Sequence, residues 1–71
     1  MAGFNTELIR KNKEANGRLL GVKLGRLCIK NGYSVSYVAK KLGVSRQTIY
    51  NWFVGKGNPT EDQFNEVEMW L

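Results

Sequence analysis

Arg46, Gln47, Thr48 and Asn51 carry the hydrogen-bonding chemistry that most narrows the reading of this chain. A glutamine amide donates and accepts at once, which matches adenine N6 and N7; an arginine fork matches guanine O6 and N7, or swings onto a phosphate. Thr48 offers a methyl to thymine or a hydroxyl to phosphate. Asn51 stands one helical turn beyond Gln47, so on a helix the two face the same groove. The bland alternative for each is a solvated surface amide or charge.

These side chains do their chemistry only if the surrounding segment holds them on one exposed face. The run from Ala39 to Pro59 does this in its spacing. Two helices crossing steeply need a small residue where they touch, here Ala39, and their turn needs one that tolerates positive φ, here Gly43. Val44, Ile49 and Trp52 then point inward, leaving Arg46, Gln47, Tyr50 and Asn51 outside. The pattern is a helix-turn-helix, whose second helix is shaped to enter a DNA major groove.

Extending the reading outward gives an all-α domain of four to five helices, in two stretches: an N-terminal arm or short helix over 1–16 and the helix-turn-helix domain over 17–71. Thr6 can cap a helix through Glu7–Ala15 whose only apolar anchors are Phe4, Leu8 and Ile9. Arg10, Lys11 and Lys13 make a flexible basic arm the alternative. Arg18 to Lys30 predicts a core helix with Leu20, Leu24 and Leu27 inward, ended by Gly32. Gly21 and Gly25 each cost about 1 kcal/mol of helix propensity relative to alanine and let a neighbour approach closely, the N-terminal segment being the obvious one. Ser34 caps Val35–Leu42, with Val35, Val38, Ala39 and Leu42 inward; Ser45 caps a helix running to about Val54, ended by Gly55. Thr60 and Gln63 form a capping box for a last helix with Phe64, Val67, Trp70 and Leu71 inward.

Composition removes several function classes. The 71 residues contain no histidine and one cysteine, Cys28, so neither an internal disulfide nor a zinc site is expected, and no cofactor or small-molecule ligand either. There is no membrane-length apolar run. Between Ala15 and Thr60 there is no Asp or Glu, so no paired-carboxylate or base–nucleophile site can be assembled there and an enzyme is not expected. The net charge of +5 is unevenly placed. Arg18, Lys23, Arg26, Lys30, Lys40, Lys41, Arg46 and Lys56 fill the acid-free stretch, whereas Glu61, Asp62, Glu66 and Glu68 follow Pro59 with no basic residue. Such a split describes a polyanion-binding face and an opposite face turned away from it.

Taken together, Leu20-Gly21-x-x-Leu24-x-x-Leu27, Gly32-Tyr33-Ser34, Gly43-Val44-Ser45-x-x-Thr48-Ile49-x-x-Trp52 and Gly55-x-x-x-Pro59 resemble the lambda-repressor-like domains of phage Cro and repressor proteins, the XRE family. The resemblance runs from about Leu20 to the end of the chain, and the size is most like a small Cro-type regulator. It implies a cytoplasmic, DNA-associated transcriptional repressor of a bacterial cell, host- or phage-encoded, binding a double-stranded DNA operator as a homodimer. Many members pair an arginine on the first helix with a glutamate after the tryptophan. Cys28 and Phe53 stand at those positions, and replacing both charges by apolar groups predicts that the two meet in the core. Val35 stands where members often carry a backbone-contacting glutamine, leaving Ser34, Ser36 and the helix-start amides to meet phosphate. Ser45, Tyr50, Lys56, Asn58 and Lys40 or Lys41 complete the expected backbone contacts. Two other functions fit the same scaffold: a phage factor that binds a host protein through Met69-Trp70-Leu71, and an excisionase-like architectural DNA binder.

Overall fold

The computed structural model describes residues 6–70. They form five helices and, among the described residues, no strand: α1 (Thr6–Glu14), α2 (Leu20–Asn31), α3 (Val35–Leu42), α4 (Arg46–Phe53) and α5 (Glu61–Trp70). Phe4 and Leu71, both expected to point inward, lie outside the described residues.

Each boundary has a local cause. Gly32 ends α2 in the left-handed conformation, and its N–H donates to the carbonyls of Cys28 and Ile29. Ser34 and Ser45 cap α3 and α4 through their hydroxyl oxygens, which accept from the amides of Tyr37 and Thr48 at 3.1 Å each. Gly43, at φ 72°, makes the turn between them. At α5 the amide of Thr60 donates to Gln63 Oε1 at 2.9 Å, and that of Gln63 donates to Thr60 Oγ1 at 3.1 Å, a closed capping box.

The core gathers Leu8, Leu24, Cys28, Val38, Ala39, Ile49, Trp52, Phe53 and Val67 from all five helices. Phe53 and Cys28 are both fully buried within it, so no charge is stranded at these two positions. Burial pushes the Cys28 thiol up to about 12, which keeps it protonated at neutral pH.

The inward face of α2 differs from the expected leucine stripe. Leu24 is buried, but Leu20 and Leu27 are only half-buried, and Gly21, Val22, Gly25 and Cys28 complete the contact. Apolar bulk is a poor guide on this helix, because its glycines are the contact surface. Leu42 is likewise half-buried and packs on the edge of the core. Gly21 does not receive the N-terminal segment: a Cβ there would lie 2.6 Å from the Trp52 carbonyl and 2.7 Å from that of Gly57. Gly25 does, because its Cβ would lie 2.5 Å from Asn12 Nδ2 and 2.9 Å from Phe53 Cγ.

Gly21→Ala therefore sets a helix-propensity gain of ~1 kcal/mol against overpacking of about 1–3 kcal/mol. The obstacles at Gly21 are those two carbonyl oxygens and the Trp52 Cβ at 2.8 Å, none of which can rotate away, so the upper end applies. A thermal melt should show a lowered midpoint; an unchanged or raised one would contradict the close approach of α2 to α4.

Candidate nucleic-acid interface

Arg46, Gln47 and Ser45 are exposed at the start of α4, with Thr48 and Asn51 half-buried beside them. Gln47 Nε2 donates to Asn51 Oδ1 at 2.9 Å across one turn. The two amides are thereby oriented with respect to each other before anything binds, and Gln47 Oε1 and Asn51 Nδ2 complete an acceptor and donor set on the pair. Ser45 Oγ and Thr48 Oγ1 lie 2.9 Å apart, so the Thr48 hydroxyl is engaged with its cap. Its methyl is then the more available group.

Tyr50 departs from the expected exposed position. It is half-buried and packs against the core, because it stands one turn before Phe53 and Val54 on the flank of α4. Asn58 is exposed, but its Oδ1 accepts from the Gly21 amide at 3.0 Å and so satisfies a first-turn donor of α2. That ties the loop after α4 to the start of α2. Lys56 is exposed on the same loop, and its backbone N–H donates to the Asn51 carbonyl at 2.8 Å.

On α3, Ser36, Lys40 and Lys41 are exposed and Ser34 is half-buried at the cap. The two lysines differ in setting. Lys41 Nζ lies 5.4 Å from the Trp70 ring centroid and 6.0 Å from that of Tyr37. Those rings belong to an aromatic group in which Tyr33 stacks on Tyr37 at 5.3 Å and donates its hydroxyl to the Trp70 carbonyl at 2.9 Å. Lys41 is therefore drawn toward the end of α5, whereas Lys40 has no such partner among the described residues.

Ion pairs among the described residues are confined to Arg10 with Glu7 and Glu14 on α1. The hydrogen bond to Glu7, followed by the charge of Glu14, holds the Arg10 guanidinium above its ordinary pKa. Basic groups of the middle of the chain form no ion pair among the described residues, and their charge is left to act outward.

A helix-turn-helix family model matches residues 19–67, more than half of the 71. The chain belongs to the lambda-repressor-like helix-turn-helix family. This is a family of DNA-binding domains, and α3 and α4 are its helix-turn-helix pair. No curated protein and no solved structure matched the chain. No helix among the described residues is long and apolar enough to cross a membrane, and none of their His, Cys, Asp or Glu side chains cluster in a way that could hold a metal ion.

One residue that sequence reasoning passed over is Asn12. It is the only buried polar side chain among the described residues, at 3% exposure, and it donates into the end of α4. One signal could have found it: Leu8 and Asn12 stand four apart on α1 and both face the core, whereas Ile9, counted as an anchor, is 41% exposed.

Proposed function

We propose that this helix-turn-helix protein is a sequence-specific binder of double-stranded DNA that regulates transcription as a Cro-like repressor, by occupying an operator. The observation that carries the reading is the Gln47–Asn51 amide pair, presented at 2.9 Å on the surface of α4 beside exposed Arg46. Gln47 reads adenine N6 and N7, Arg46 reads guanine, Asn51 supports Gln47 in the same groove, and the Thr48 methyl touches thymine. Ser34, Ser36, Lys40, Ser45 and Lys56 hold the phosphates on either side; Lys41, Tyr50 and Asn58 act there through the elements they brace as much as through direct contact. The protein works as a two-fold dimer on half-sites about one helical turn (roughly 34 Å) apart.

Selection of sites from random duplex DNA tests this directly. The wild type should enrich a short palindrome. Gln47→Ala should cost about 1–3 kcal/mol at one base pair per half-site and relax the preference there, with little effect elsewhere. Salt-sensitive binding with no enriched sequence would favour an architectural role, and no DNA binding would favour a protein partner at the Met69–Trp70 end of α5.

A further inference from the structure

The family match begins at residue 19, so α1 lies wholly outside it. Even so, α1 reaches the recognition helix through the most deeply placed amide described. Asn12 Nδ2 donates to the Phe53 carbonyl at 2.7 Å and to the Val22 carbonyl at 3.3 Å. Phe53 is the last residue of α4. Carbonyls in the final turn of a helix find no N–H donor within it, so an outside donor there fixes both where the helix stops and how its end is turned.

The seat is closely fitted. The hydrogen at Gly25 is what leaves room for the Asn12 amide and the Phe53 ring, since a Cβ would lie 2.5 Å from the first and 2.9 Å from the second. Behind Asn12 the brace is itself held. Arg26 Nη2 donates to the carbonyls of Lys13 and Ala15 at 3.3 Å each and to that of Asn12 at 3.5 Å. A guanidinium at these carbonyls also meets the negative end of the α1 dipole. Arg26 belongs to α2, so the three helices close a loop of contacts: α2 holds α1, α1 holds the end of α4, and α4 rests on α2 at Gly21 and Gly25.

We infer that Asn12 is a positioning residue for the recognition surface, with α1 serving as a brace on the C-terminal end of α4 and Arg26 holding that brace in place. The inference rests on the DNA-reading function proposed above. Asn51 stands within the turn that ends at Phe53, and its amide orients Gln47. A small rotation at the Phe53 end therefore reaches the base-reading pair, where displacements of about 0.5 Å already matter.

The test uses the full chain with Asn12→Ala and, because a core change can impair folding, the exposed-site variant Arg26→Ala. Circular dichroism establishes that each is folded at the assay temperature. The readout is the affinity ratio between the selected duplex and an unrelated one at fixed salt, alongside backbone amide resonances of residues 46–51, which Asn12 does not touch. Asn12→Ala should lower the ratio by about tenfold and Arg26→Ala by about threefold, both shifting those resonances. Folded variants with an unchanged ratio, and with shifts confined to α1 and its immediate contacts, would overturn the inference and leave α1 a purely stabilising addition. A wild type that prefers no duplex would sink the DNA reading instead, and shifts at 46–51 would still support the brace.

Discussion

Trp52→Ala is expected to unfold a large share of the molecules at 37 °C, with a stability loss of about 3–5 kcal/mol in chemical denaturation. The indole is 7% exposed and belongs to the core that all five helices share. Its Cβ and carbonyl lie against Gly21, and its ring edge lies beside Gly57, so Trp52 packs against both α2 and the loop leaving α4. Truncation leaves a cavity bounded partly by backbone, which collapses poorly. For a domain of this size, whose total stability is near the bottom of the roughly 5–15 kcal/mol range, such a loss is most of what there is. A measured loss below about 1 kcal/mol would mean that the two helices hold together without the indole.

Affinity for DNA should fall steeply with ionic strength. A dimer meeting on the order of 6–10 phosphates loses about 10³–10⁵-fold between 50 and 200 mM salt, because each neutralised phosphate releases a condensed counterion. Here the basic groups from Arg18 to Lys56 face no carboxylate in their own stretch of sequence, so little of their charge is neutralised internally. Titration of binding against salt gives the slope. A slope near zero would show that the surface meets something other than a polyanion, whatever its affinity. Lys40→Ala should reduce the slope by about one unit for each phosphate that the lysine neutralises, and Arg10→Ala should leave it unchanged, since Arg10 is occupied by Glu7 and Glu14.

The helix-turn-helix was legible because its constraints are local. Ser34, Gly43 and Ser45 act within a few residues of themselves, and the structure places the caps and the positive-φ turn at those positions. The Thr60–Gln63 capping box was readable for the same reason. What escaped depended on partners distant in sequence. Asn12 is 41 residues from the carbonyl it serves, and its one local signal, the four-residue spacing from Leu8, says that it faces inward but not what it bonds. Distance also hides the bonding of Asn58, whose partner Gly21 is 37 residues away, and of Lys41, whose aromatic partner Trp70 stands at the other end of the domain. Tyr50 is half-buried rather than exposed because a helix flank is neither inside nor outside by periodicity alone, and neighbouring apolar surface settles the matter.

At two points along α2 only hydrogen separates the helix from what crosses it: the Trp52 and Gly57 carbonyls at Gly21, the Asn12 amide and Phe53 ring at Gly25. At the first of these the spacing between the helix axes is set by main-chain radii and the Trp52 Cβ, which substitution elsewhere does not alter. Exchanges among the aliphatic residues elsewhere in the interior would change volume and melting behaviour while the distance between those two axes stayed the same. The outward surface of the fourth helix is in this way insulated from aliphatic exchange beneath it for as long as Gly21, Gly25 and Asn12 are kept.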